Sequence, residues 1–190
     1  PFKEMFPQIY DSIDAADKPG IDAMDLQQGK VTLDGKIATF DLPQGYYFLG
    51  AKDARFVLET LWGNPADTDT LGLVFPPDVS PFQSDSWALE VYFDKIGYVS
   101  DSDAAAYDYK DMLTQMQSDA EAGNADRKAK GFDAIHVLGW AAEPRYDKDA
   151  RKLYWAKRLQ FEGDDGETLN YNIRALGRHG VLVMNFIASM

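Results

Sequence analysis

The chain has no cysteine, which removes a disulfide framework, a thiolate metal site and a thiol nucleophile together. Histidine is nearly absent as well. His136 and His179 are the only two, neither has a second histidine at metal spacing, and no metal or cofactor is expected. No stretch reaches the roughly 18 consecutive apolar residues that a membrane-crossing helix requires. Positive charge is scarce: 19 Lys and Arg stand against 31 Asp and Glu, and the net charge of −12 repels nucleic acid and anionic lipid. The deficit is uneven, with 16 acidic and 7 basic groups in residues 1–100 but 15 and 12 in residues 101–190, so an anion site belongs in the second half. Also missing are a Gly-x-Ser-x-Gly elbow, a phosphate-cradling glycine loop and a Gly-x-Gly-x-x-Gly fingerprint. The familiar hydrolase, nucleotide and dinucleotide chemistries therefore have no support.

What is present is a length of 190 residues, 45% hydrophobic and 26% charged, which suits a single globular domain over 1–190 able to bury a core without cross-links. The chain starts at Pro1 with no basic-then-apolar leader, and an upstream segment is expected to have been cleaved or to lie outside this sequence. Residues 2–17 place Phe6, Ile9 and Ile13 at helical spacing, and Asp17-Lys18-Pro19-Gly20 reads as the stop, making 1–24 a helical extension. Asp34-Gly35 between Val31-Thr32-Leu33 and Lys36-Ile37-Ala38-Thr39-Phe40 predicts a hairpin with a two-residue loop. A helix over 51–62 ends at Gly63 and Pro65, and Leu71–Phe75 reads as a strand. Residues 87–93 alternate, with Trp87, Leu89, Val91 and Phe93 on the core face.

Ser100-Asp101-Ser102-Asp103 has capping-box spacing and predicts a helix over 101–124, whose stripe of Tyr109, Met112, Leu113, Met116 and Ala120 reads as core filling. Four strand candidates follow, at 134–140, 151–162, 168–176 and 180–188, joined by short glycine-bearing turns and hence antiparallel. The prediction is an α+β fold: a single antiparallel sheet of five to seven strands layered with helices, ending in a β-meander.

Gly45-Tyr46-Tyr47-Phe48-Leu49, Trp62-Gly63-Asn64-Pro65, Asp85-Ser86-Trp87, Gly97-Tyr98-Val99-Ser100-Asp101, Pro144-Arg145-Tyr146-Asp147, Leu153-Tyr154-Trp155-Ala156 and Leu169-Asn170-Tyr171 stand in order along residues 25–190. In these the chain resembles an uncharacterised bacterial family of membrane-anchored proteins, domain of unknown function 2167. The resemblance implies an exported protein whose extracytoplasmic domain, periplasmic or on the cell surface, is held by anchoring segments that this chain lacks. The element order also resembles PsbP-like sandwiches, a likeness of architecture that carries no function.

Among the residues that carry chemistry, matching the apolar faces of the last strands puts Leu153, Trp155, Leu159 and Phe161 beside Leu169, Tyr171, Ile173 and Ala175. Tyr154, Arg158, Gln160, Asn170, Asn172 and Arg174 then share the opposite face. Two guanidiniums and three carboxamides there would suit a small anionic ligand, although a solvated sheet face looks the same. Asp67-Thr68-Asp69, Asp101-Ser102-Asp103 and Asp164-Asp165-Gly166-Glu167 offer oxygen ligands, but turn and capping chemistry accounts for them without calcium. Glu59, Glu90 and Glu143 are candidate general acids only if buried. Trp62, beside a Gly and Pro turn, would anchor a partner such as an envelope protein if it projects, though helix position also suits a core tryptophan. The expectation is a non-enzymatic extracytoplasmic binding or assembly module. The alternatives are a carboxylate-based hydrolase acting on a cell-envelope component and a small-anion sensor using Arg158 and Arg174.

Overall fold

A computed structural model describes residues 1–66, 69–83, 85–101 and 108–189, with 187–189 described by backbone alone. The chain separates into two compact units, Pro1–Val91 and Tyr92–Met190.

In the first unit, residues 2–22 form three short helices, α1 (Phe2–Met5), α2 (Pro7–Ser12) and α3 (Lys18–Asp22). The expected stop at Lys18-Pro19-Gly20 is therefore a start. Proline at the first turn of a helix lacks only an N–H that would have no intrahelical partner, so Pro19 sits in α3 without cost to its hydrogen bonds. Phe2, Phe6, Tyr10 and Ile21 from this region are buried in the unit's core with Tyr47, Leu49, Val57, Leu73 and Phe75. Strand β1 (Leu26–Gln27) pairs with β4 (Tyr47–Gly50), and β4 pairs with β5 (Thr70–Phe75), all antiparallel. Strands β2 (Lys30–Thr32) and β3 (Thr39–Asp41) make the hairpin expected around Asp34-Gly35. Its loop is longer than two residues: a 3-10 turn occupies Asp34–Lys36, positive φ falls on Gly35 and Lys36, and Leu33 N–H closes onto the Ala38 carbonyl at 2.9 Å. Helix α4 (Ala51–Arg55) widens into a π-helical segment, Phe56–Leu61, and ends at Trp62 as the Gly63 and Pro65 signals require. Strand β6 (Ala88–Asp94) spans the junction of the units, and burial is greatest at Ala88 and Val91, so strict alternation fails there.

The second unit is a helix, α5 (Tyr109–Ala129), and a meander of β7 (Ile135–Asp147), β8 (Lys152–Phe161), β9 (Glu167–Leu176) and β10 (Val181–Ser189). The predicted helix over 101–124 is displaced toward the C-terminus, and Ser102 and Asp103, half of the proposed capping box, lie outside the described residues. The cap that is seen is Asp108, whose Oδ1 accepts from the N–H groups of Lys110 at 2.8 Å and Asp111 at 3.2 Å. At the other end Phe132 N–H bonds the Arg127 carbonyl and Gly131 N–H that of Lys128, a Schellman closure.

Counted together, eight strands enter large antiparallel sheet structure, besides the β2–β3 ribbon, where the sequence predicts five to seven. The undercount has a physical cause. Strand β1 is two residues long, and β4 is buried at Tyr47, Phe48 and Leu49 in succession, so it shows no alternation to read.

Strand β7 ends the meander's order, and an edge strand presents unpaired backbone groups. Three register shifts, between Val137 and Gly139, Trp140 and Ala142, and Ala142 and Arg145, break its regularity, and Pro144 falls within the last. Its first residues are covered by α5. Asn124 Nδ2 donates to the Ile135 carbonyl at 3.0 Å while its Oδ1 accepts from Ile135 N–H at 2.8 Å, and Gln117 Nε2 donates to the Val137 carbonyl at 3.0 Å. Two carboxamides thus stand in for a neighbouring strand. Asn124→Ala is expected to cost about 2 kcal/mol, because it strands the partly buried N–H and carbonyl of Ile135. Thermal unfolding should register this as a drop of roughly 4–8 °C, and an unchanged midpoint would mean that water replaces the amide.

Candidate functional site

Residues that face each other across an antiparallel pair project to the same side, so the β8–β9 register decides which side chains meet. Leu153 pairs with Arg174, Trp155 with Asn172, Lys157 with Asn170 and Arg158 with Leu169. This is one residue away from the alignment that matching apolar faces predicts, and the expected cluster is divided. Arg174, Asn172 and Asn170 lie on one face with Leu153, Trp155 and Lys157, whereas Tyr154 and Arg158 lie on the other with Ile173, Tyr171 and Leu169. The pairing of β9 with β10 extends the first face to Val181, Val183 and Asn185.

The reason is visible in the asparagines. Asn170 and Asn172 are buried, and Asn172 Nδ2 donates to Asn170 Oδ1 at 2.8 Å and to the Asn170 carbonyl at 3.2 Å. Local bonding lets polar side chains occupy the covered face, so hydrophobicity alone misplaces the register. On the opposite face Arg158 is 3.6 Å from Glu167 and Arg145 lies over the Tyr154 ring at 5.1 Å. These are exposed arrangements with their charges already partnered.

On the covered face a partly enclosed cavity of about 300 Å³ lies between α5 and β8, β9 and β10. Met112 and Met116 line it from the helix, and Leu153, Trp155, Leu176 and Val181 from the strands. The guanidinium of Arg174 also lines it, donating through Nη1 to Asp94 Oδ2 at 3.2 Å and lying 5.2 Å over the Trp155 ring. Several polar atoms with essentially no accessible surface have no partner among the described residues. The indole N–H of Trp155, a residue 3% exposed, finds no acceptor, nor does Arg174 Nε, and Asn185 Oδ1 finds no donor. Groups buried this way are normally satisfied, and each unmade bond costs about 1–3 kcal/mol.

Two further features belong to this region. At the rim, Tyr146 donates its hydroxyl to Asp101 Oδ2 at 2.6 Å. That bond holds the Asp101 carboxyl below the usual carboxylate range and pushes the Tyr146 phenol up to about 12. Its contribution to folding is present above the ordinary carboxylate pKa and is lost as pH falls through Asp101's lowered value. At the alkaline end it is lost as pH rises through about 12. Beneath the next turn of the helix, Lys157 and Met116 line a second hollow. Burial, and secondarily Arg174, depresses the Lys157 ammonium, which has no acidic partner among the described residues.

The other candidates lie elsewhere. Trp62 is half-buried against the first unit's core, meets Phe75 edge-on at 6.1 Å and donates its indole N–H to the Pro81 carbonyl at 2.9 Å, the arrangement of a structural tryptophan. His136 Nδ1 is 2.7 Å from Glu121, fastening α5 to β7, and Glu143 is exposed. Asp164 Oδ1 accepts from Gly166 N–H at 3.0 Å, a turn bond. Asp67, Thr68, Ser102 and Asp103 lie outside the described residues. Among the described residues no three acidic or histidine side chains converge as a metal site, and no helix is long and apolar enough to cross a membrane.

Sequence reasoning takes Trp155 for a core anchor and the methionines for filling, and it passes over Lys157. A lysine two residues from a tryptophan on one strand face, opposite two asparagines, is the signal that this face is not ordinary core.

Fold and site together define an α+β domain with a helix-roofed, largely apolar cavity carrying one guanidinium. Residues 25–190 match the sequence model of the family described as "Protein of unknown function (DUF2167)", and the chain belongs to that family. Neither a curated protein nor a solved structure matches it.

Proposed function

We propose that the chain is a non-enzymatic binding module, the extracytoplasmic part of a membrane-anchored bacterial protein, and that its ligand site is the cavity under α5. The observation that carries this reading is the largely apolar cavity itself, lined by Met112, Met116, Leu153, Leu176 and Val181 together with Arg174. A preformed apolar pocket with a few convergent polar groups is the usual form of a small-molecule site. The location outside the cytoplasm rests on the family resemblance.

Asp101, Glu121 and Glu162 titrate low, Asp101 through Tyr146, Glu121 through His136 and Glu162 through Lys128. A glycosidase-type general acid requires the opposite shift, so none of these three suits that role. An anion-sensing role cannot join Arg158 to Arg174, because the register sets them on opposite faces, so it falls to Arg174.

The test is thermal unfolding with 1-octanol, a neutral apolar probe, on the native chain and on Met116→Trp, which fills the cavity. A concentration-dependent rise in the native midpoint that Met116→Trp abolishes is expected. No rise, or an equal rise in both proteins, would remove the cavity as the site.

A further inference from the structure

We propose that Lys157 is a nucleophilic amine, and that the open hollow it lines beneath α5 is a covalent site where it forms an imine with a small apolar aldehyde. The site is distinct from the cavity that Arg174 lines, so either can hold without the other.

Nine of the chain's twelve lysines are exposed, and two of these, Lys128 and Lys130, are in ion pairs with Glu162 and Asp126 at 2.7 Å each. Lys157 is set differently. It is half-buried in the middle of the meander, with buried Trp155 two residues before it on the same face and buried Asn170 opposite it on β9. Met116 and Ala120 of α5, Ile135 and Val137 of β7 and Leu159 of β8 line the same hollow. No hydrogen bond or ion pair engages its amine among the described residues. Nor does its nitrogen fall among the unpartnered atoms that are closed off from solvent. The amine is therefore unengaged and reachable.

A lysine attacks carbon only after its ammonium has lost a proton, and two settings promote that loss: an apolar surrounding and a neighbouring cation. Both are present. The apolar lining withholds solvent from the charge, and Arg174, on the same face of β9, opposes it, so the ammonium gives up its proton more readily. Arg127 of α5 also lines the hollow, its Nε donating to the Asp133 carbonyl at 2.8 Å. Asp119 is the one carboxylate among the lining residues, and it is exposed and accepts from Gln115 Nε2 at 2.7 Å. Two cations and one distracted carboxylate leave the amine without the counter-charge that would keep it protonated.

The reaction balances without a further reagent. The Lys157 nitrogen forms a bond to the carbonyl carbon as the C=O π pair moves to oxygen, and one amine proton passes to that oxygen. The hydroxyl then leaves with the second amine proton as water while C=N forms, and water reverses the sequence. The apolar lining favours a hydrocarbon substituent on the aldehyde over a charged one.

The experiment exposes the native chain at neutral pH to limiting propanal with cyanoborohydride, which reduces an imine to a stable secondary amine. Peptide mass spectrometry then reads the propyl mark on each lysine. Lys157 is expected to be marked severalfold faster than any of the nine exposed lysines, and the preference should vanish in urea, where the hollow is gone. Glyoxylate, an aldehyde bearing a carboxylate, should show a severalfold weaker preference for Lys157 than propanal does. The comparison needs no variant and so does not depend on one folding.

A lysine that merely threads its stem along the sheet would be marked no faster than the exposed ones, and that result would overturn the proposal. A preference that persists in urea would overturn it too, because the reactivity would then belong to the local sequence and not to the hollow. Preference for glyoxylate equal to or above that for propanal would overturn the apolar aldehyde.

Discussion

Gly72→Ala is expected to destabilise the first unit by about 4 kcal/mol or more, from steric overlap together with a disfavoured backbone. Gly72 faces Gly50 across β4 and β5 and holds φ at 153°, where side chains are rarely tolerated. A Cβ built there runs into the ring of Phe48 and the carbonyl of Leu49, and the carbonyl cannot move without breaking the strand. Folded domains have only about 5–15 kcal/mol in total, so the variant should unfold at much lower denaturant or fail to accumulate. Gly123→Ala is the control. Gly123 lies inside α5 with nothing within 4 Å of a built Cβ, and alanine there should stabilise by about 0.5–1 kcal/mol. Urea denaturation of both variants checks the pair, and a Gly72→Ala midpoint close to the native one would show that β4 and β5 separate at little cost.

The second large effect is expected at Tyr47. Its side chain is fully buried, stacked on Phe75 at 5.1 Å with the planes 8° apart, and met edge-on by Phe6 at 5.8 Å. Its hydroxyl donates to the Val79 carbonyl at 2.7 Å, and burial raises the phenol's pKa, so the group stays protonated through the physiological range. Tyr47→Ala removes a ring from the middle of an aromatic cluster and should cost about 4–5 kcal/mol. Tyr47→Phe keeps the ring and strands only the Val79 carbonyl, for about 1–2 kcal/mol. The ratio is the informative quantity. Similar losses from the two variants would mean that the hydrogen bond, not the ring packing, organises the cluster.

The part of the architecture that local chemistry dictates was readable. Asp34-Gly35 marks a real hairpin, Gly63 and Pro65 mark a real helix end, and the last three strands lie close to where alternation and glycine turns place them, whereas β7, expected over 134–140, runs on to Asp147. The register was not readable, because it depends on what covers each face. With α5 over one side of the meander, Asn170 and Asn172 are buried there and bond to each other, while Tyr171 and Ile173 are left half-exposed on the other. A one-residue slip followed, and with it the wrong grouping of Arg158 with Arg174. Burial on both sides hid β4 for a related reason. The three extra residues of β7 depend on tertiary pairing and have no local signature. The site was therefore half legible: Arg174 and its asparagines were picked out as unusual for a strand, but the tryptophan, methionines and lysine around them looked like ordinary core and surface.

Helix α5 roofs the cavity with Met112 and Met116 and, two turns further on, occupies the hydrogen-bonding edge of β7 with Asn124. One rigid element thus governs both entry to the interior and the sheet's capacity to recruit another chain. A fluctuation that lifts the helix far enough to admit a molecule also bares strand groups that can pair with a neighbour, so occupancy and resistance to self-association are linked. Conditions that keep the helix seated should slow amide exchange at Ile135 and delay aggregation by the same factor.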